Sequence, residues 1–128
     1  MKVWIVTIGE PLPVDGPKAR LYRSGMLFGE LARDGHNVTW WTSRFNHHIK
    51  VHRKMRPGSL DLHPGQRIEL LDGCAYLKNV SALRMLNHWQ VAADFARRIR
   101  IKTGFDEVDQ CADFALLPIL FAERISQD

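Results

Sequence analysis

Lys2-Val-Trp-Ile-Val-Thr-Ile8, then Gly9-Glu-Pro-Leu-Pro-Val-Asp-Gly-Pro17, then a patterned segment from about Lys18 to Asp34: this succession decides the fold. The first run is apolar at Val3, Trp4, Ile5, Val6 and Ile8 without clean alternation, which suits a parallel strand covered on both faces. The second is a turn-rich loop bearing two glycines. In the third, Leu21, Gly25, Phe28 and Ala32 share one stripe at helical spacing, with Leu27 and Leu31 beside it. The small residues Gly25 and Gly29 would let such a helix lie close to a sheet. Strand, loop and helix in this order form the opening half of a βαβ unit. Its loop sets backbone N–H groups and a helix N-terminus where an anionic ligand can dock.

Outward from that unit, Gly35 stands where a left-handed residue ends a helix. Asn37-Val-Thr-Trp-Trp-Thr42 is rich in β-branched and aromatic residues and predicts a second strand, parallel to the first through a right-handed crossover. From Ser43 to Gln66 no period survives, and Arg44, His47, His48, Lys50, His52, Arg53, Lys54 and Arg56 dominate. A long basic surface loop over 43–66 is expected, and loops of this length are commonly functional or disordered. Arg67-Ile-Glu-Leu-Leu71 predicts a short third strand. Ser81 is a suitable N-cap for a long helix to about Ile101, with Met85, Leu86, Trp89, Ala92, Ala93, Ala96 and Ile99 as its core stripe. Arg84, Asn87, Asp94, Arg97 and Arg98 are expected to face outward. Residues 1–105 then form one α/β domain, and 106–128, with Pro118 inside an apolar run, a divergent helical tail.

A chain of 128 residues with 45% hydrophobic and 25% charged residues is one ordinary domain's worth, able to bury its own core. The longest apolar run, Phe114 to Ala122, is far too short for a membrane span, and no leader pattern precedes the first strand. Cys74 and Cys111 make neither a disulfide framework nor a metal cluster; reduced thiols in the cytoplasm are expected. A net charge of +4 suits anionic ligands, headgroups or nucleic acid and selects none of them.

Glu10 can accept a hydrogen bond from a ligand hydroxyl, and Gly16 can let a phosphate approach the backbone. Arg20 and Arg23, in the expected first helical turn, reach the same crevice; a solvated turn is the alternative. The loop lacks the G-x-G-x-x-G fingerprint, which argues against a dinucleotide. Adjacent histidines such as His47 and His48 seldom point the same way, and no carboxylate or cysteine stands near them and His52 at ligand spacing, so no metal is expected. The basic run can instead contact lipid headgroups, at about 1 kcal/mol per residue near an anionic surface. No interleaved stacking aromatics mark a nucleic-acid module. Trp40 and Trp41, adjacent in a strand, point to opposite faces and suit packing between helix layers. No nucleophile or catalytic residue is assigned.

Val3-Trp-Ile-Val-Thr-Ile-Gly-Glu-Pro-Leu-Pro13, Arg20-Leu-Tyr-Arg-Ser-Gly25 and Leu31-Ala-Arg-Asp-Gly-His-Asn-Val-Thr-Trp-Trp-Thr-Ser-Arg-Phe45 resemble the N-terminal domain of bacterial family 4 glycosyltransferases. Tyr76-Leu-Lys-Asn-Val-Ser81, with Arg84 and His88, is similar to that group's connector and following helix. The resemblance runs from about Met1 to Arg100. It implies a Rossmann-like three-layer domain with a mostly parallel sheet, one half of a two-domain GT-B enzyme. Such enzymes transfer a sugar from a nucleotide-sugar to a glycan or lipid-linked glycan in surface polysaccharide synthesis, including lipopolysaccharide.

By the same resemblance this half holds the acceptor, its first loop lies near the donor phosphates, and a separate domain binds the nucleotide-sugar. The chain alone is then expected to be inactive, a separately encoded or truncated acceptor domain. The expected substrate-binding residues are Glu10, Asp15, Gly16 and Arg20, with Tyr76, Asn79 and Arg84. No cofactor or metal is implied. A cytoplasmic position, peripheral to the membrane face, fits this reading, as does self-association; nucleic acid does not. The alternative is a non-catalytic module holding a glycan, a lipid or a partner.

Asp106-Glu-Val-Asp-Gln-Cys-Ala112 is a poor version of the family's fourth strand. The first strand would then be an edge, to be covered by the tail, paired with another copy, or left as a source of marginal stability.

Overall fold

The computed structural model describes residues 1–103; the expected helical tail lies outside them. Strand β1 (Lys2–Val6) leads through a loop with one short helical turn at Pro13–Asp15 into helix α1 (Arg23–Arg33). Strand β2 (Asn37–Ser43) follows, then two short strands, β3 (Phe45–Asn46) and β4 (Val51–His52). The hairpin of β5 (Gly58–His63) and β6 (Gln66–Leu71) precedes helix α2 (Ala82–Thr103). The sheet order is β1-β2-β6-β5: β1, β2 and β6 are mutually parallel, and β5 runs antiparallel at one edge. Among the described residues β1 is the other edge.

Side-chain alternation places one helix on each face of this sheet. Val3, Ile5, Val38, Trp40, Ile68 and Leu70 meet Phe28 of α1 and the loop residue Leu12. On the opposite face Trp41 and Leu71, with Trp4 and Val6, meet Val91, Phe95 and Ile99 of α2. Trp40 and Trp41 are both fully buried, one per face. The Trp40 ring lies 5.5 Å from Phe28, and its Nε1–H donates to Thr7 Oγ1 at 2.9 Å. Trp41 stacks edge-on with Trp4 at 5.5 Å and Phe95 at 5.1 Å.

Helix α1 begins five residues later than the spacing predicts. Lys18 to Tyr22 form a turn and irregular chain, and the first helical hydrogen bond runs from Met26 N–H to Tyr22 O at 3.0 Å. Gly25 is used locally rather than against the sheet. A Cβ there would meet Leu21 Cβ at 3.0 Å, so its absence lets the preceding segment fold back on the helix; nothing lies within 4 Å of one at Gly29. The C-terminus is as expected. Gly35 has φ +86°, its N–H reaches Ala32 O, and the His36 N–H reaches Leu31 O, the paired bonds of a Schellman ending.

Two further expectations are corrected. The stretch 43–66 is not a structureless loop, since β3, β4 and β5 lie in it. Two of its cations are used in packing: Arg53 is buried, and Arg44 pairs with Asp72 at 3.1 Å, while Lys54 and Arg56 stay exposed.

Helix α2 is capped by the Ser81 hydroxyl on the Arg84 N–H, as expected, but is rotated about its axis. Asn87 and Val91 are buried and Arg98 is nearly so, whereas Trp89, expected in the core, is 64% exposed along with Met85 and Leu86. The reason is electrostatic. Glu69 points from β6 into the face that α2 covers; its carboxylate accepts from Ser59 Oγ at 2.7 Å, pairs with Lys102, and has Arg98 at 3.9 Å. A buried carboxylate without a cation would cost several kcal/mol, so the helix turns Arg98 and Lys102 toward it, beside the apolar Val91, Phe95 and Ile99. Gly73 permits the close approach, because a Cβ there would stand 2.8 Å from Asn87 Nδ2 and 2.9 Å from Val91 Cγ2.

Candidate functional site

The three parallel strands all point their carboxyl ends at one crevice of about 410 Å³. Open α/β sheets bind ligands in this position, because the loops leaving the strands diverge there and expose backbone and side-chain polar groups. Thr7, Ile8, Gly9 and Glu10 line it after β1, Ser43 at the end of β2, and Phe45 and His47 on the β3–β4 hairpin. Tyr76 comes from the β6–α2 connector, and Arg84, Asn87 and His88 from the first turns of α2.

Gly9 turns the chain out of β1 with φ +84°, a conformation costly for a side chain with a Cβ. Glu10 follows directly. Its Oε1 accepts from the Ser24 hydroxyl at 2.9 Å, while Oε2 is buried and has no hydrogen-bond partner among the described residues. Such an oxygen forfeits about 1–3 kcal/mol unless a donor reaches it. The loop beyond is locked from outside. Arg53 donates through Nε to Asp15 Oδ1 at 2.6 Å and through Nη2 to Oδ2 at 2.7 Å. It also reaches Ser43 O at 2.9 Å and Glu10 O at 3.3 Å. The β3–β4 hairpin thus holds the Glu10 backbone against the end of β2.

The opposite wall is aromatic and cationic. Asn46 Oδ1 accepts the His48 N–H at 3.0 Å, shaping a turn in which Lys50 takes φ +57°. That turn presents His47 and Lys50 to the connector. His47 Nδ1 lies 2.6 Å from the Tyr76 hydroxyl and 3.2 Å from Lys50 Nζ. The Lys50 ammonium can only donate, so Nδ1 is the acceptor of a neutral imidazole, with the Tyr76 hydroxyl beside the same lone pair. Burial, then the charges of Lys50 and Arg84, hold His47 below an imidazole's ordinary value. Burial and then Arg84 do the same to His88. Burial raises the Tyr76 phenol, with Arg84 opposing, so it stays protonated at neutral pH. Lys50 also donates to Asn79 Oδ1 at 2.5 Å and lies 4.8 Å over the Tyr76 ring, and Arg84 Nη1 donates to Asn79 O at 2.6 Å.

Of the residues singled out from the sequence, Glu10, Tyr76 and Arg84 come together in the crevice. Asn79 stands at its rim, holding Lys50 and Arg84. Asp15 faces Arg53 and the Leu12 N–H instead. Gly16, at φ +121°, and Arg20 are exposed and outside the lining, and Arg20 precedes α1 rather than sitting in its first turn. The residues that sequence reasoning missed are Thr7, Ser43, Asn87 and, as a pocket residue, His47. Their shared signal is position, since Thr7, Ser43 and His47 follow or close the carboxyl ends of strands.

The arrangement offers an acceptor oxygen to a hydroxyl or amine, a fixed guanidinium to an anion, and neutral donor–acceptor groups between them. Among the described residues no group of three or more His, Cys, Asp or Glu side chains is arranged to hold a metal, and no helix is long and apolar enough to cross a membrane. Comparison with protein-family models, with curated proteins and with solved structures gave no match.

Proposed function

We propose that this chain is a Rossmann-like domain forming the acceptor side of a sugar-transfer cleft, one half of a GT-B glycosyltransferase acting in surface polysaccharide synthesis. The observation that carries this reading is the buried, unpartnered Glu10 Oε2 in a crevice whose other wall holds Arg84. A polyhydroxylated ligand with an anionic group satisfies both at once: a sugar hydroxyl donates to Glu10, and a phosphate or carboxylate meets Arg84. The parallel strand ends and the resemblance of 3–13, 20–25, 31–45 and 76–81 to family 4 glycosyltransferases support the same assignment. The nucleotide-sugar would be held by a second domain. Transfer would need no metal, the leaving diphosphate being stabilised by preorganised donors and cations. The setting would be cytoplasmic.

The test is titration of the chain with a panel of nucleotide-sugars and of free and prenyl-linked sugars, followed by a transfer assay with a supplied donor domain. Acceptor binding that falls tenfold or more in Glu10→Ala and in Arg84→Ala is expected. Unchanged affinity in both variants would sink the proposal. Acceptor binding without transfer in the reconstituted pair would favour a non-catalytic glycan-binding module.

A further inference from the structure

Glu10 and Arg84 line the same crevice from different walls, and neither charge is neutralised. Among the described residues no cation pairs with the Glu10 carboxylate. Its Oε1 accepts one uncharged donor, the Ser24 hydroxyl, and its buried Oε2 accepts nothing. Arg53 directs its donors to Asp15, to Ser43 O and to the Glu10 carbonyl rather than to the Glu10 side chain.

Arg84 is the mirror case. Its Nη1 donates to the carbonyl of Asn79, and the sequence from Gly73 to Ala93 contains no Asp or Glu to pair with it. Lys50, on the same wall, is likewise held by uncharged groups, Asn79 Oδ1 and His47 Nδ1. No ion pair joins Glu10 to either cation. Each is anchored on its own element, Glu10 by Ser24 of α1 and Arg84 by the connector, so the opposite charges stay apart with the crevice between them.

Fixed charges of opposite sign select a ligand that carries their complements. A carboxylate oxygen drawn out of water is costly without a partner, and a neutral hydroxyl offsets only part of that cost. An ammonium supplies both the missing donor and the missing charge, and charge-assisted hydrogen bonds are about twice as strong as neutral ones. Tyr76 and the His47 imidazole add donor and acceptor groups without adding charge.

We propose that the crevice selects an acceptor with two opposite charges, an ammonium that meets Glu10 and an anionic group that meets Arg84. Such an acceptor is an amino sugar with its amine free, bearing a phosphate or a carboxylate. The crevice, about 410 Å³, has room for one ring with these substituents. An acetylated amine has lost the charge and is rejected. The sugar ring rests on the sugar-transfer reading; the charge pairing rests on Glu10 and Arg84 alone.

The test is calorimetric titration of the full chain with glucosamine-6-phosphate, glucose-6-phosphate, N-acetylglucosamine-6-phosphate, glucosamine and phosphoethanolamine. Glucosamine-6-phosphate should bind at least tenfold more tightly than each of the others. Glu10→Gln, which keeps the side chain's shape, should bring the three phosphorylated sugars within twofold of one another. Arg84→Ala should remove the advantage of the phosphate and keep that of the amine. Glucose-6-phosphate bound as tightly as glucosamine-6-phosphate overturns the inference and leaves the sugar-transfer reading standing. An amine preference that survives in Glu10→Gln overturns it too. Phosphoethanolamine bound as tightly as glucosamine-6-phosphate would support the charge pairing and overturn the sugar reading instead. If none of the five binds, both fall.

Discussion

Arg53 grips Asp15 with two nitrogens, at 2.6 and 2.7 Å, where the two side chains are only 6% and 12% exposed. The pair is paid for in desolvation, and the remaining Arg53 donor places satisfy carbonyls of β2 and of the Glu10 loop. Removing only the cation leaves a carboxylate away from water with no counter-charge. Arg53→Ala should therefore destabilise the protein by about 3–5 kcal/mol, read as a lower urea midpoint. A loss below about 1 kcal/mol would show the pair to behave as an exposed one.

Acid should reveal the same contact. Burial alone would raise the Asp15 carboxyl; hydrogen bonds from Arg53 and the Leu12 N–H, with the Arg53 charge, outweigh it and hold the group below its ordinary value. In the unfolded chain an aspartate titrates near about 3.9. The unfolded state thus binds the proton first, and the stabilisation is complete above that pH and lost as pH falls through the lower folded value. Urea midpoints measured from neutral pH down to pH about 3 should drop less steeply in Asp15→Asn than in the parent. Parallel curves would contradict the assignment.

The imidazoles of the crevice should titrate late. His47 and His88 are held below an imidazole's ordinary value, chiefly by burial and then by nearby cations. Both therefore take up their protons at lower pH than an imidazole in water or in the unfolded chain does. Because the unfolded chain accepts those protons more readily, stability is lost as pH falls through the ordinary imidazole value of about 6.5 toward the lower folded values. Imidazole proton shifts followed by NMR should show depressed midpoints for both, moving upward in Arg84→Ala. Midpoints unmoved by that substitution would mean Arg84 exerts no field there.

Ser24 tests how Glu10 is aimed. Its hydroxyl holds Oε1 and leaves Oε2 unpartnered among the described residues. Ser24→Ala should lower stability by about 1 kcal/mol and weaken acceptor binding less than Glu10→Ala does. Equal losses of affinity would place Ser24 itself on the ligand.

The orientation of α2 separates two tryptophans. Trp41→Ala should cost about 3–5 kcal/mol, as expected for an aromatic ring removed from a packed core. Trp89→Asn, on the outward face, should change stability by no more than about 0.5 kcal/mol. Thermal unfolding of the two variants distinguishes this helix rotation from the one its apolar stripe suggests.

That contrast also locates what the sequence makes legible. β1, β2, β6, the Gly35 ending and the Ser81 cap follow from local rules that act within a few residues, and the two tryptophans of β2 sort to opposite faces by strand geometry alone. The start of α1 depends on Leu21 folding against Gly25, a contact no spacing rule encodes. Strands of two residues, such as β3 and β4, are too short to carry a period, and the alternation of Gly58–His63 is broken at its ends by Pro-Gly pairs. The rotation of α2 depends on Glu69, one acidic residue among the apolar Ile68, Leu70 and Leu71 of its strand. It was the visible clue, because a charge in that place needs a cation from whatever covers it. In the crevice Glu10, Tyr76 and Arg84 were legible from loop position and resemblance. His47 was not, because its value comes from meeting Tyr76 across 29 positions of chain.

Asp15 and the residue that holds it are 38 positions apart in sequence. The loop bearing Glu10 is held only in part by nearby residues, Leu12 on Asp15 and Ser24 on Glu10, and gains its outer lock only when Arg53 has been synthesised and the β3–β4 hairpin has closed on β2. Closing so long a stretch of chain carries an entropic cost that nearby contacts must first offset. In the order of assembly, then, the wall of the crevice is a late arrival: β1 and α1 supply it, but a later part of the chain decides when it becomes a wall.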